Sequence, residues 1–274
     1  MNIVYFGSDV FLSCFEFLAE RHHIQALYTY HNEEDYFTEY AIARRAAELG
    51  IPVHYESISP EEITRLFTVE GCELFFIAEY DRILHLPEGL PSFRGINVHS
   101  SLLPRGCGYY PIETAMSLGL DRTGVTIHKV APRVDSGDVL AQQAVLITPE
   151  MDSVDVYLKN AANARRLLEE LLTDLEGAWQ RAVPRQDHPH RWRRPEPRLL
   201  TLTHDQTCAE AKQVFRRANS MTQVRLGGRW YYVSALMTGP AALAEEERPL
   251  AADRWLYRAA DRPAAAHNIT EEML

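Results

Sequence analysis

The sequence has no apolar run long enough to span a bilayer. Its beginning, MNIVYFGSDV, has no basic leader and is typical of a core strand, so we expect no signal peptide. The four cysteines (Cys14, Cys72, Cys107 and Cys208) are widely spaced and form no C-x-x-C motif. These absences predict a cytoplasmic protein with reduced thiols and no membrane partner.

The sequence also has fewer positive than negative residues, with 28 Lys and Arg against 38 Asp and Glu. The shortage lies in residues 1–184, whose net charge is −13, whereas residues 185–274 carry +3. A strongly acidic main domain argues against a nucleic-acid partner, since binding a phosphate backbone needs a basic surface. A few arginines could still hold a small phosphorylated substrate.

Several motifs of other protein classes are missing. The 11 histidines show no H-E-x-x-H or comparable spacing, so we expect no metal. The opening FGSDVFLS has one glycine where the dinucleotide-binding fingerprint G-x-G-x-x-G has three, which disfavours NAD or FAD. The sequence around SLLP has no G-x-S-x-G elbow, so it gives no sign of a serine nucleophile.

Residues 1–182 alternate between strand-like and helix-like segments. MNIVYFG, IQALYTY, IPVHY, CELFFIAEY and GINVH are typical of strands, and amphipathic segments separate most of them. This alternation predicts an α/β fold with a doubly wound, mostly parallel sheet. Ser8 or Asp9 could cap the first helix, and Ser59 followed by Pro60 predicts the start of a later one. GVTIHKV and DVLAQQAVLI predict two neighbouring strands before a long amphipathic helix.

The composition changes at residues 183–198, VPRQDHPHRWRRPEPR, where prolines lie among arginines and histidines. We interpret this stretch as an exposed linker to a small C-terminal α+β subdomain at residues 199–274. There, TCAEAKQVFRRANS predicts a helix, and QVRLGGRWYYVSALM predicts a hairpin that turns at Gly227–Gly228. PAALAEEERPLAADR predicts a loop or a weak helix.

The stretch GINVHSSLLPRGCGYYP joins a strand end to an irregular loop. Side chains two residues apart on a strand share a face, so Asn97 and His99 project together. At the carboxyl edge of a doubly wound sheet they would face a ligand cleft. An amide N–H can stabilise a developing oxyanion, and an imidazole can do the same or move a proton. The alternative is that His99 is a hydrogen-bonded structural histidine.

The segment APRVDSGDV places Asp135 in a short loop between the two later strands. A carboxylate there could hold or relay a proton. Because Asp before Ser-Gly is also typical of turns, Asp135 could instead serve turn geometry alone. The residues by themselves leave both interpretations open.

The pattern N-V-H-S-S-L-L-P-R-G-C-G, followed by G-V-T-I-H-K-V and V-D-S-G-D-V-L, resembles the N10-formyltetrahydrofolate-dependent formyltransferases. That family includes methionyl-tRNA formyltransferase, the phosphoribosylglycinamide formyltransferases and the nucleotide-sugar N-formyltransferases. The resemblance implies that residues 1–182 are a formyltransferase catalytic domain with Asn97, His99 and Asp135 as its catalytic set. An amine would attack the formyl carbon of the folate. Asn97 and protonated His99 would stabilise the oxyanion, while Asp135 would tune His99 and help to accept the proton.

The same resemblance implies a folate pocket lined by three segments, with N10-formyltetrahydrofolate as formyl donor and no metal. Irregular backbone in such loops leaves main-chain groups for a heterocycle to bind. The implied pocket residues are Asp81, Arg82 and Ile83, then Ser101, Leu102, Leu103 and Pro104, then Ala131, Pro132, Arg133 and Val134.

For the acceptor, the chain most resembles the nucleotide-sugar N-formyltransferases, which add a short C-terminal unit to the same core. Tyr109 and Tyr110 could form a wall of the acceptor pocket, and Arg105 could meet a phosphate. Alternatively, the tyrosines are core aromatics and the arginine is merely exposed. RWYY at residues 229–232 could stack on a nucleotide base, although we favour a packing role. The resemblance therefore implies formyl transfer to a primary amine, and we favour a nucleotide-linked amino sugar as its carrier.

Other acceptors and roles remain as alternatives. A small amine or hydroxylamine, such as hydroxyornithine in siderophore biosynthesis, is the main one. A tRNA acceptor is disfavoured because the early loop HNEEDYFTEY is acidic and RGCGYYP replaces the Trp-Arg-Gly-Ala-Ala run usual in those enzymes. Formyltetrahydrofolate hydrolases share the motif but commonly carry an N-terminal regulatory domain. A non-catalytic binding module would be expected to have lost a catalytic residue. Many relatives are dimers, so a homodimer is a further expectation.

Overall fold

The computed structural model of the chain describes residues 1–31, 40–91, 93–185, 191–193, 196, 199–203, 206, 208–219, 222–226, 229–238, 247–250 and 255–263. It forms two compact units, which are described separately. The larger is built mainly from residues 1–149 and 155–194, and the smaller mainly from residues 150–154 and 195–274.

Within its described residues, the larger unit is a seven-stranded sheet covered by helices. The strands are β1 (Asn2–Gly7), β2 (His23–Tyr28), β3 (Val53–His54), β4 (Leu74–Ala78), β5 (Gly95–His99), β6 (Arg122–Lys129) and β7 (Val139–Leu146). The helices are α1 (Leu12–Arg21), α2 (Ala41–Glu48), α3 (Pro60–Thr68), α4 (Pro111–Ser117), α5 (Ser153–Thr173) and α6 (Leu175–Gln180). No helix in the described ranges combines the length and the apolarity needed to cross a membrane.

The strand order is β3-β2-β1-β4-β5-β6-β7. Neighbours from β3 to β5 pair in parallel, and β6 and β7 extend the sheet as antiparallel strands. This architecture confirms the predicted α/β fold with a mostly parallel sheet. The antiparallel register of β6 also places His128 directly opposite Asn97 on β5.

Successive residues of the central strands supply two cores, one on each face of the sheet. In β1, Ile3 and Tyr5 pack in a core that includes residues of α1 and α5, whereas Val4 and Phe6 pack in a core that includes residues of α3. All four are fully buried. A strand that is apolar on both faces needs a layer of helices on each side, and this requirement explains the double winding.

The helix starts agree with the sequence in one case and differ in another. Ser59 caps α3 by accepting a hydrogen bond from a main-chain N–H of its first turn at 3.2 Å, and Pro60 is the first helical residue. The prediction that Ser8 or Asp9 caps the first helix is wrong. The Asp9 carboxylate instead accepts hydrogen bonds from the first two N–H groups of α2, at 3.0 and 2.9 Å, because those donors have no partner inside the helix.

The smaller unit has a five-stranded sheet in the order β11-β12-β10-β9-β8 within its described residues. Its strands are β8 (Thr201–Leu202), β9 (Gln223–Leu226), β10 (Arg229–Thr238), β11 (Glu247–Leu250) and β12 (Trp255–Pro263), and its helix is α7 (Cys208–Ala218). A small core contains Leu202, Ala211, Val214, Val224 and Val233.

The sequence predictions for the smaller unit are partly correct. Strands β9 and β10 pair as an antiparallel hairpin, as predicted. Its turn residues, Gly227 and Gly228, and the side chains of residues 229–232 lie outside the described residues. The prediction of a loop or weak helix for PAALAEEERPLAADR is wrong at residues 247–250, because this short piece pairs with β12.

Candidate active site

Asn97 is oriented by His128, which faces it across the β5–β6 pair. The Nδ1–H of His128 donates to the Lys129 carbonyl at 2.8 Å, so Nε2 of the neutral ring is an acceptor. Burial lowers the pKa of His128 to about 4, against an opposing effect of Asp135, and the ring is therefore neutral near pH 7. The Asn97 Nδ2 group lies 3.0 Å from this Nε2 and donates to it. The contact fixes the orientation of the amide and uses one of its two N–H groups.

His99 is buried at the end of β5. Its Nε2–H donates to the Gly106 carbonyl at 2.7 Å, since a carbonyl can only accept. The other ring nitrogen, Nδ1, lies 3.6 Å from Oδ1 of Asp135. Nδ1 is therefore the position at which this imidazole can gain or lose a proton.

Asp135 lies in the connection between β6 and β7 with a left-handed φ of 55° and a side chain that is 5% exposed. Residues 131–134 lead into it and are half-buried or exposed. Its Oδ2 accepts a hydrogen bond from the Gly108 N–H at 2.8 Å, and Oδ1 faces both His99 and, at 4.0 Å, Nε2 of His128. Asp135 is a turn residue, as one of the two interpretations predicted, and its carboxylate also points at the two histidines.

Two glycines make this approach possible. A Cβ at Gly137 would overlap the Lys129 carbonyl, so the D-S-G turn can close only around glycine. Gly108 has a φ of 111°, and a Cβ there would overlap the Trp192 carbonyl oxygen. The glycines therefore hold the Asp135 loop and the Gly108 N–H close together.

The S-L-L-P loop is anchored by the hydroxyl group of Thr126 on β6. This hydroxyl donates to the Ser101 carbonyl at 2.6 Å and accepts hydrogen bonds from the Leu103 N–H at 3.2 Å and from Gln142 Nε2 at 2.8 Å. Gln142 Nε2 also donates to the Leu103 carbonyl at 3.0 Å. With these groups already paired, a ligand would meet mainly the half-buried side chains on either side of Leu103.

The predicted folate residues after β4 form a partly exposed turn. Arg82 donates to the Tyr55 carbonyl at 2.7 Å, and its Nε lies 3.7 Å from the Asp81 carboxylate. Burial raises the pKa of Asp81, although Arg82 opposes this effect. Ile83 is 55% exposed, and Val134 in the β6–β7 connection is 40% exposed. Exposed apolar side chains and a partly desolvated carboxylate fit a flat heterocycle with N–H donors, which is the chemistry of a pterin.

The predicted acceptor residues all lie in the loop between β5 and α4. Arg105 is exposed, and its carbonyl accepts a hydrogen bond from Ser101 Oγ at 2.9 Å. Tyr109 is 61% exposed, which excludes a core role. Tyr110 is half-buried with a φ of 49° at the position before α4.

Residues that the sequence interpretation assigned to a linker also reach this site. The main chain of Trp192 pairs with residues 107–109, donating one hydrogen bond at 2.7 Å and accepting another at 3.0 Å. Arg191 Nη1 donates to the Val134 carbonyl at 3.1 Å, and Nη2 lies 3.9 Å from Oδ2 of Asp135.

A cavity of about 460 Å³ lies beside the S-L-L-P loop. Two residues of the predicted folate pocket, Leu103 and Pro104, line it together with Val139, Leu140, Ala141, Gln142, Val183, Pro184 and Arg185.

The site thus combines an oriented amide, an imidazole with one exchangeable position and a buried carboxylate. This set suits the addition of a nucleophile to a carbonyl carbon, because N–H donors stabilise the developing oxyanion and a His–Asp pair can take up a proton. Among the described residues, no group of three His, Cys, Asp or Glu side chains is arranged to hold a metal.

Comparison with protein families identifies the class of this site. The family described as formyl transferase matches residues 19–172, which is more than half of the chain and includes Asn97, His99 and Asp135. The chain belongs to the formyl transferase family. The predicted family and the predicted enzyme class, a one-carbon group transferase, are confirmed.

Solved structures similar to this formyltransferase support the fold. A variant of HypX from Aquifex aeolicus is 14% identical with a TM-score of 0.69, and the match covers 97% of this chain but only 46% of HypX. A sugar N-formyltransferase from a Shewanella species is 19% identical with a TM-score of 0.63, covering 89% and 99%. WlaRD, a sugar 3N-formyl transferase solved in the presence of dTDP and 5-N-formyl-THF, is 13% identical with a TM-score of 0.62, covering 96% and 98%. At these identities, the likeness establishes the fold alone.

Sequence reasoning missed three residues of this formyltransferase site: His128, Arg191 and Trp192. His128 stands inside the quoted segment GVTIHKV, but its pairing with Asn97 depends on a register that apolar patterning does not reveal. A tryptophan within a basic, proline-rich stretch was the available signal for residues 191 and 192, because such a ring usually packs against something.

Proposed function

We propose that this formyltransferase moves the formyl group of N10-formyltetrahydrofolate to the primary amine of a nucleotide-linked amino sugar. The observation that carries the proposal is the convergence of Asn97, His99 and Asp135. Nδ1 of His99 lies 3.6 Å from the Asp135 carboxylate, and the Asn97 amide is hydrogen-bonded to His128, which faces the same carboxylate.

The donor, when bound, supplies a formyl group on a nitrogen that can leave. In the proposed reaction, the acceptor nitrogen forms a bond to the formyl carbon, the bond from that carbon to N10 breaks, and the proton lost by the amine ends on N10. Asn97 directs its second amide N–H at the oxygen on which negative charge develops. The positive charge of protonated His99 stabilises the same oxygen, since its Nε2–H is already bound by the Gly106 carbonyl, and Asp135 accepts the amine proton directly or through water.

The choice of donor is supported by two features. Ile83 and Val134 offer exposed apolar surface in two of the loops implied for the pterin, and Asp81 offers a partly desolvated acceptor. WlaRD, which shares the fold, was solved with a formyl-folate.

The choice of acceptor is supported by the loop between β5 and α4. Tyr109 places an exposed aromatic ring there, and Arg105 places an exposed cation four residues earlier. These groups suit a nucleotide, whose base can stack on an aromatic ring and whose phosphates pair with arginine. WlaRD was solved with dTDP as well. Buried thiols at Cys14, Cys72 and Cys107 support a reducing, cytoplasmic location.

The direct test is an acceptor screen with N10-formyltetrahydrofolate, read by mass spectrometry as the gain of one formyl group. The panel contains nucleotide-linked amino sugars, hydroxyornithine, initiator methionyl-tRNA and a reaction without any amine. We expect saturable transfer to a nucleotide-linked amino sugar and at least a hundredfold slower reaction with the other acceptors. Transfer to hydroxyornithine, to tRNA or to water as the fastest reaction would overturn the proposed acceptor.

The catalytic assignment has a matched control within one loop. Asp135→Asn removes the buried carboxylate and should lower kcat by roughly a thousandfold, since general base catalysis contributes about 10²–10⁴-fold. Asp138→Asn removes a carboxylate three residues away that is 42% exposed and pairs with Lys129 at 3.3 Å. This control should stay within about twofold of the wild type. Equal effects of the two substitutions would contradict the role given to Asp135.

A further inference from the structure

Residues 191 and 192 connect the two loops that hold the catalytic pair. The main chain of Trp192 pairs with residues 107–109, a segment that contains Gly108, whose N–H binds Asp135, and that directly follows Gly106, whose carbonyl fixes the tautomer of His99. The side chain of Arg191 contacts the other loop, at the carbonyl before Asp135 and at the carboxylate itself. One dipeptide therefore touches both loops of the catalytic pair.

The contact between Arg191 and Asp135 matters because the carboxylate is buried. A buried carboxylate needs hydrogen-bond donors or a cation around it, because burial of an unpaired charge is costly. The groups facing Asp135 are the Gly108 N–H, His99, His128 and Arg191. His128 spends its one N–H on Lys129 and turns an unprotonated nitrogen towards the carboxylate.

His99 can balance Asp135 only in its protonated form. Its Nε2–H is used by Gly106, so the neutral ring presents a lone pair at Nδ1 to Oδ1. While His99 is neutral, Arg191 is the permanently charged cation that contacts Asp135 within the described residues. The Arg191 side chain is 44% exposed, but its hydrogen bond to the Val134 carbonyl at 3.1 Å holds the guanidinium in place.

We propose that Arg191 is a positioning residue that keeps the Asp135 carboxylate aimed at His99 between proton transfers. This inference rests on formyl transfer through His99 and Asp135 as proposed above. A guanidinium is required because it can donate to the Val134 carbonyl and face the carboxylate at the same time, whereas a lysine ammonium is a single point charge.

The kinetic test compares Arg191→Ala, Arg191→Lys and the matched control Arg193→Ala, which removes an exposed arginine two residues away. We expect Arg191→Ala to lower kcat about ten- to a hundredfold, the loss typical of a misplaced catalytic group, with little change in KM. Arg191→Lys should recover part of the loss, and Arg193→Ala should stay within about twofold of wild type. Millimolar guanidinium chloride should restore part of the activity of Arg191→Ala, whereas sodium chloride at equal ionic strength should not.

A second measurement does not depend on activity. The amide proton of Gly108 reports on the Asp135 carboxylate that accepts its hydrogen bond. Its NMR resonance should shift in Arg191→Ala and stay in place in Arg193→Ala. Unchanged kcat in Arg191→Ala, or a loss that guanidinium cannot rescue with the Gly108 resonance unmoved, would overturn the positioning role. Failure of the wild type to formylate any amine would overturn the proposed function instead. The Gly108 resonance, compared between Arg191→Ala and Arg193→Ala, would still decide whether Arg191 holds the carboxylate.

Discussion

The burial of His128 predicts a measurable dependence of stability on pH. Its pKa falls from 6.5 to about 4 in the folded protein, whereas the unfolded chain binds the proton near the ordinary value. Between these two values the unfolded state binds more protons, so the folded state loses stability as the pH decreases. This difference in pKa corresponds to a loss of stability of roughly 3 kcal/mol, which is complete by about pH 4 and absent above about pH 7.

The perturbation that isolates this effect is His128→Gln. Glutamine does not titrate, and its amide oxygen can still accept the hydrogen bond from Asn97. The free energy of unfolding in urea should be measured for both proteins at several values from about pH 7 to about pH 4. We expect the wild type to lose about 3 kcal/mol more than the variant over this range.

The control for the substitution itself is His85→Gln at an exposed position. Parallel curves for the wild type and His128→Gln would refute the reasoning. In that case His128 would not be held neutral by burial, and the orientation of Asn97 derived from it would fall as well.

Three further substitutions test how the site is built. Gly108→Ala should lower kcat about tenfold or more, because the new Cβ overlaps the Trp192 carbonyl and displaces the N–H that binds Asp135; an unchanged kcat would contradict this role of Gly108. Thr126→Val should cost about 3 kcal/mol in urea unfolding by leaving the buried Leu103 N–H and Ser101 carbonyl without a partner, and Thr126→Ser should restore most of it. Ser59→Ala should cost about 1 kcal/mol without changing kcat, and a loss within error would contradict its capping role.

The parallel half of the sheet could be predicted because the composition of its strands indicates that both of their faces are buried. Ile3, Val4, Tyr5 and Phe6 are apolar in succession, and a strand of this kind must be covered on both faces. The three candidate site residues could be predicted to lie close together from N-x-H and D-x-G, because the fold places these motifs on adjacent elements. Neither prediction needed the direction of a strand.

The partners of these residues could not be predicted, because they come from contacts remote in sequence. Asp9 finds its donors at the start of α2, about thirty residues along the chain, rather than in the helix next to it. Arg191 reaches Asp135 from a stretch whose prolines and charges are typical of a linker. The strand at residues 247–250 forms by pairing with β12, which the Ala/Glu-rich composition of the surrounding stretch PAALAEEERPLAADR does not favour.

The hydrogen bond from His99 to Gly106 limits the ring to one working nitrogen. A histidine tied in this way can carry a proton back and forth along one line, but it cannot pass protons through from one side to the other. If proton transfer by His99 limits the rate, kcat measured in mixtures of light and heavy water should change linearly with the deuterium fraction. A single loop carbonyl thus makes the imidazole a shuttle instead of a relay.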